Sequence, residues 1–249
     1  MVVAESLCKV FRDGRQEVRA VQNVSFEARP GEALGVLGVN GAGKTTLLRM
    51  LSTMLQPTSG RASVQGRDVA TEPQAVRASI GFLSASTAVF GRLTAREMVA
   101  LFARLNGFRG GELRRRVDDA IERFGIAPFA DRLCDRLSTG QKQRVSIART
   151  VVHDPPVLLF DEPTSGLDVL TSQVVLEFVE EACESGRTVL YSTHAMHEAQ
   201  RLCRRAVVIH NGALVAQGPV DELISQVGAP DLERAFLRWI QADGAQASR

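Results

Sequence analysis

Gly38 to Thr46, reading GVNGAGKTT, stands between the apolar run Ala33-Leu34-Gly35-Val36-Leu37 and the helical segment TTLLRMLS. A GxxxxGK pattern followed by Thr, with a strand before it and a helix after it, predicts a loop that cradles phosphate. Glycine has no Cβ, so at Gly38, Gly41 and Gly43 the backbone can curl. In such a loop, running through Asn40 and Ala42, the N–H groups from Gly41 to Thr45 face anionic oxygens. Lys44 is then placed to reach the β- and γ-phosphates and the Thr45 hydroxyl to ligate Mg²⁺. Thr46 continues the helix whose positive dipole end meets the anion. The expected ligand is a nucleoside triphosphate. The bland alternative is a glycine-rich turn, and the strand-loop-helix context argues against it.

Short apolar strands alternate with helical segments along the chain, which predicts an α/β fold of the P-loop NTPase kind: a mainly parallel sheet flanked by helices. Its central strands are Ala33 to Leu37, Val157 to Phe160 and Thr188 to Ser192. The wholly apolar Val157-Leu158-Leu159-Phe160 suits a strand covered on both faces. It runs directly into Asp161 and Glu162. A sheet of this class opens its ligand crevice at the carboxyl ends of its strands, so both acids arrive beside the phosphates. Asp161 fits a direct or water-mediated role at Mg²⁺, and Glu162 fits polarisation of an attacking water. Taken alone, such a pair reads as surface acids; the phosphate loop upstream changes that reading.

From about Leu93 to His153 the texture is helical and rich in arginine. Thr94-Ala95-Arg96-Glu97 has the capping-box form, ahead of an apolar face of Met98, Leu101, Phe102 and Leu105. Gly110-Gly111 is expected to break this helix from the next, Glu112 to Phe124, whose Arg114-Arg115-Arg116 reads as a solvated face. Asn211-Gly212, between two apolar runs, predicts a hairpin turn. Leu232 to Ile240 reads as a short amphipathic helix, and Ala245 to Arg249 as a frayed end.

The 249 residues are 45% hydrophobic and 23% charged, enough for a sizeable core. A net charge of +2 falls short of a dedicated nucleic-acid binder, so no nucleic-acid partner is expected. No apolar run approaches the roughly 18 residues of a membrane span, and MVVAESLCKV lacks a signal-peptide layout, which predicts a cytosolic protein. Cys8, Cys134, Cys183 and Cys203 are scattered without CxxC spacing and read as reduced structural residues.

LSTGQKQR, Leu137 to Arg144, resembles the LSGGQ-type signature of the ATP-binding cassette (ABC) family. Other elements of that family follow in order over nearly the whole chain. Phe11 matches the aromatic that stacks on adenine, Asp161-Glu162-Pro163-Thr164 the strand-end acids, Ser165-Gly166-Leu167-Asp168 the D-loop, and Ser192-Thr193-His194 the switch histidine. Without the family, Ser138 reads as a helix N-cap, Phe11 as core and His194 as a satisfied buried histidine. The resemblance implies a nucleotide-binding domain over 1–228, with a helical subdomain at about 86–153, and a C-terminal helix and tail over 229–249. It also implies a head-to-tail dimer with a second copy or a homologous cassette. In that dimer Ser138 and Gly140 of one copy meet the γ-phosphate held by Lys44 of the other, and Gln141 counts among the nucleotide-binding residues. Glu162 orients water, His194 stabilises the γ-phosphate and Asp168 links the two sites. ATP and Mg²⁺ are the implied ligands, and an integral membrane permease subunit at the inner face of the cell membrane is the implied partner.

Two positions depart from the pattern. Ala85 stands where the family usually has glutamine, and Thr139 where it has glycine. The second is tolerable only if Thr139 is not left-handed, since a Cβ there costs roughly 1–2 kcal/mol. Ile80 to Val99 resembles ABC ATPases of the sodium-efflux type and their relatives in export systems. The rival readings are a soluble ABC ATPase acting on nucleic acid or ribosomes, and a P-loop kinase, which would leave the signature unexplained.

Overall fold

The computed structural model describes residues 1–14, 16–84 and 89–247. Three short strands make its centre: β3 (Ala33–Leu37), β7 (Val157–Asp161) and β8 (Thr188–Thr193), every residue of them buried. With β6 (Ile80–Ser84) and β9 (Arg205–His210) they form a parallel unit in the order β6-β7-β8-β3-β9. Beyond β9 the sheet continues through β10 (Ala213–Pro219), β2 (Gln16–Ala28), β1 (Val2–Asp13), β4 (Ser59–Val64) and β5 (Arg67–Asp68). Apart from one parallel bridge, Ala213 to Gln22, these outer pairings are antiparallel. The sheet is therefore mixed, with the expected parallel strands at its core. The long β1–β2 ribbon carries exposed polar residues between apolar ones, a weaker signal than the solid apolar runs of the centre.

Alternation along the central strands divides the core in two. Leu37, Leu158, Phe160, Val189, Tyr191 and Val208 enter one apolar cluster; Leu34, Val36, Leu159, Leu190 and Val207 enter the other. The first is covered by α3 (Ala95–Leu105), α4 (Gly110–Arg123), α5 (Thr139–Val151), α6 (Val169–Glu184), α7 (Met196–Leu202), α8 (Val220–Gln226) and α9 (Leu232–Ala247). The second lies against α1 (Lys44–Leu51), α2 (Pro73–Ala78) and the antiparallel strands. Phe178 of α6 stacks on Phe160 with centroids 6.1 Å apart and meets Phe124 edge-on at 5.2 Å. Full burial of a phenylalanine such as Phe160 contributes roughly 1.5–3 kcal/mol relative to exposure.

Thr94 caps α3 in a complete capping box with Glu97. The break after α3 comes earlier than expected: Asn106 caps the helix, Gly107 takes φ +93°, and Gly110-Gly111 form the first turn of α4 instead. A left-handed residue just past the cap is what ends a helix, and Gly107 supplies it. Arg114 and Arg115 face solvent, whereas Arg116 lies over Phe108 with its guanidinium 4.1 Å from the ring centroid. Asn211-Gly212 joins β9 to β10 with both residues at positive φ, the two-residue turn its sequence predicts. The C-terminal helix is longer than the sequence suggested, reaching Ala247; Ser248 and Arg249, in the expected frayed tail, lie outside the described residues. Ala85 and the first residues of the expected helical insertion lie outside them too. The four cysteines are free.

Candidate active site

Parallel register brings the ends of the central strands level. Leu37 pairs with Thr193, Asp161 with Ser192, and Ser84 with Asp161. The residues that follow, the phosphate loop after β3, Glu162 after β7 and His194 after β8, therefore collect at one edge. A cavity of about 670 Å³ opens there, lined by Asn40, Gly41, Gly43 to Thr46, Asp161 and Glu162, among others.

The loop is shaped by close backbone approach. A Cβ on Gly38 would stand 2.5 Å from the Ile209 carbonyl oxygen, and one on Gly43, at φ +109°, 2.3 Å from that of Ala20. Only glycine fits at either position. Gly43 is the N-cap of α1, whose first turn carries no acid, so the positive helix end is left for an anion. Ala42 is buried beneath the loop and its carbonyl accepts from Gly212 N at 2.9 Å.

Lys44 is only 4% exposed. Its Nζ donates to the carbonyls of Gly38 (2.7 Å) and Val39 (3.1 Å) and pairs with Glu162 Oε1 at 3.0 Å. His194 Nδ1 lies 3.3 Å from Glu162 Oε2. Burial pushes the Glu162 carboxyl up, but Lys44 and then His194 together outweigh that and hold it below its ordinary value. Glu162 is thus an ionised carboxylate at neutral pH, able to orient water or accept its proton. It sits at φ +50°, and its N–H donates to the Ser192 carbonyl at 3.0 Å. Asp161, 3% exposed, accepts from Ser192 Oγ at 2.8 Å.

A second group lies at the start of α5 and α6. Ser138 caps α5 and exchanges hydrogen bonds with Gln141, the side chain of each meeting the backbone N–H of the other. Thr139 is the first residue of that helix and is not left-handed, so the signature accepts its Cβ. At Gly140 a Cβ would come within 2.7 Å of Thr171 Oγ1. That hydroxyl donates to Asp168, which caps α6 by also accepting from Thr171 N, both at 2.9 Å. The backbone N–H and the hydroxyl of Thr171 hold the Asp168 carboxyl below its ordinary value. Asp168, itself exposed, thereby holds the threonine that packs close to the signature glycine.

Lys44, Asp161 and Glu162 thus line one cavity, and His194 meets Glu162 from outside that lining; Ser138, Gly140, Gln141 and Asp168 do not line it either. Two readings made from residue type alone are corrected. Phe11 is not core: it is 42% exposed, with Lys9 Nζ 5.3 Å from its ring centroid, and it too lies outside the cavity lining. His194 is not buried either, its side chain being 49% exposed. Sequence reasoning missed Arg19, Ser84, Asn211 and Gly212 as cavity residues. Of these only Asn211-Gly212 carried a signal, as a turn, and nothing local said where the turn would sit.

A sequence profile for the ABC transporter family matches residues 21–165. The ABC transporter ATP-binding protein NatA of Bacillus subtilis (strain 168) is 37% identical over 238 residues, 95% of this chain and 97% of that protein. The daunorubicin/doxorubicin resistance ATP-binding protein DrrA of Streptomyces peucetius is 38% identical over 228 residues, 92% of this chain and 68% of the relative. Among solved structures, the dimeric post-hydrolysis state of the ATP-binding cassette MJ0796 bound to ADP and Pi superposes with a TM-score of 0.81 at 28% identity. That match covers 88% of this chain and 98% of the other. With its phosphate loop and signature set in the fold of such cassettes, and with relatives aligned over nearly its whole length, the chain belongs to the ABC transporter family and is an ATP-binding and ATP-hydrolysing subunit of that class.

Proposed function

We propose that this subunit powers export through a separate integral membrane subunit, with Na⁺ as the candidate cargo, by closing on ATP as a nucleotide-sandwich dimer. The observation that carries the dimer is the separation of two anion-binding ends: a buried Lys44 with its glycine loop in one cavity, and a capped helix start at Ser138 outside it. Each end is half a site. A second copy, or a homologous cassette, placed head to tail would set its Ser138, Gly140 and Gln141 against the γ-phosphate of the ATP on Lys44. We assign Asp168, whose partner Thr171 packs close to Gly140, the task of carrying the state of one site to the other.

Within one cavity, the loop N–H groups and Lys44 bind the phosphates, and Thr45, Thr46, Gly38 and Asn40 complete the cradle. Phe11 offers an exposed face for adenine. Thr45 and Asp161 are hard oxygen donors of the kind Mg²⁺ takes while keeping several waters. Bound there, Mg²⁺ would neutralise charge on the phosphate oxygens. Phosphate oxygens compete with Glu162 for the Lys44 ammonium, which leaves Glu162 free to orient and deprotonate water; His194 stabilises the γ-phosphate. Among the described residues no helix is long and apolar enough to cross a membrane. We therefore assign the pathway to the partner and place this subunit at the cytoplasmic face. Likeness of Ile80 to Val99 to sodium-efflux ATPases supports Na⁺, and the resistance function in the name of the relative DrrA supports the outward direction.

The test is reconstitution with the co-purified membrane subunit in proteoliposomes. ATP hydrolysis is expected to rise with that partner, with Na⁺ leaving the compartment that contains ATP. Glu162→Gln is expected to lower turnover by about 10²–10⁴-fold while retaining ATP and forming a dimer visible by light scattering. Stimulation by RNA or ribosomes instead would overturn the transport reading. Inward flux, or a different cargo, would overturn only the finer one.

A further inference from the structure

Glu198 of α7 is a buried acid, 6% exposed, that the scheme above does not use. Three hydroxyls converge on its Oε2: Tyr191 Oη at 2.8 Å, Thr164 Oγ1 at 2.9 Å and Thr193 Oγ1 at 3.4 Å. Burying a carboxyl beneath hydroxyls is a poor way to fill space, since an apolar side chain of similar volume carries no desolvation cost. The positions of the partners give the arrangement its meaning. Thr164 lies two residues past Glu162, and Thr193 immediately precedes His194.

Glu162 and His194 both need restraint from outside their own side chains. His194 is half exposed, so packing does not hold it 3.3 Å from Glu162. Its backbone does: Thr193 Oγ1 accepts from Ala195 N at 2.9 Å and donates to Glu198, pinning the chain on both sides of the histidine. Glu162, at φ +50°, is in a conformation that persists only where neighbouring structure over-determines it. The bond from Thr164 to Glu198 is one such restraint. A further contact leads outward, from Gln143 Nε2 on α5 to the carbonyl of Pro163 at 2.5 Å. The helix that begins at Ser138 thus reaches the same loop.

We propose that Glu198 is a positioning residue for ATP hydrolysis, its Oε2 tying the Thr164 loop that carries Glu162 to the strand end that carries His194. The proposal rests on the assignment of Glu162 and His194 made above. It assigns Glu198 no contact with nucleotide, so its loss acts on turnover rather than on binding.

The experiment compares ATP hydrolysis, ATP affinity by equilibrium dialysis and thermal midpoint in the full chain and six variants: Glu162→Gln, Glu198→Gln, and Val and Ser at Thr164 and at Thr193. Small displacements of a reacting group cost up to about 100-fold, so Glu198→Gln is expected to lower kcat about 10- to 100-fold with KM and ATP affinity within about twofold of the parent. Valine at either threonine keeps the volume and removes the hydroxyl, and is expected to lower kcat; serine restores the hydroxyl and is expected to recover it. Should Glu198→Gln not fold, the two Val/Ser pairs decide. Normal kcat in folded Glu198→Gln, or equal behaviour of Val and Ser at both sites, overturns the proposal, as does a loss of ATP affinity matching the loss of rate. Turnover surviving in Glu162→Gln would instead sink the site assignment itself. An inactive Glu162→Gln beside a fully active Glu198→Gln sinks only the role of Glu198.

Discussion

Lys44 and Glu162 meet across the cavity as an ammonium and a carboxylate, and the pairing has a pH signature. The carboxyl is held below its ordinary value of 4.5 in the folded chain, burial being outweighed by Lys44 and His194. A depressed carboxyl contributes stability that is whole above 4.5 and is lost as pH falls through the lower folded value. The thermal midpoint of the nucleotide-free chain is therefore expected to exceed that of Glu162→Gln at neutral pH. The gap should narrow once pH drops below 4.5. A gap that stays constant from about pH 7 to about pH 3 would show that the carboxylate is not the stabilised species. At this scale the sequence was most legible where chemistry constrains the residue type. Only glycine fits at Gly38 and Gly43, and the apolar run Val157 to Phe160 of β7 delivers Asp161 and Glu162 to the strand end. It was least legible where residue averages stand in for position. Phe11 is aromatic and reads as core, yet it pairs with an exposed Val18 near the uncovered end of the β1–β2 ribbon. His194 stays exposed beside Glu162, the strand ending one residue before it.

Two helices begin with the same device. Thr94 with Glu97 opens α3, and Ser138 with Gln141 opens α5. Loss of an N-cap costs about 0.5–2 kcal/mol, so Thr94→Ala and Ser138→Ala are expected to lower the thermal midpoint by similar amounts. Only Ser138→Ala is expected to lower ATP turnover as well, because the proposed dimer gives its hydroxyl a second task toward the nucleotide of the facing copy. Calorimetry and steady-state hydrolysis on both variants check this; equal effects on turnover would reduce Ser138 to a cap. The Thr94 box was legible from four residues, since its partners are local; Ser138 was legible as a cap, but its return bond from Gln141 was not read. The end of α3 was not legible, because Gly107 and Gly110 both take positive φ and either is able to stop a helix. Nor was the strand order, where β3 joins β8 and β9 from far along the chain.

Across the whole molecule, large apolar side chains left in solvent mark where something else belongs. Val169 and Leu170, directly after Asp168 at the head of α6, are 85% and 80% exposed. Neither contributes to the fold, so Leu170→Asp is expected to leave the thermal midpoint within about 1 °C of the parent. Placed in the Glu162→Gln background, it is expected to prevent the ATP-dependent dimer, as read by analytical ultracentrifugation. Dimerisation of the double variant at parental ATP concentrations would remove the head of α6 from the interface. Membership in the ABC family was legible at this scale because six motifs fall in order along the chain. The mixed sheet was not, since its antiparallel half is set by long-range pairing. The division of the buried residues into two clusters, one on each side of the central strands, carries a mechanical consequence. The five parallel strands act as a bulkhead: the proposed nucleotide site is on the α1 side, while α3 to α5 are anchored on the other. Any signal between them has a short way round at the open rim, and Glu162 and His194 stand in that doorway.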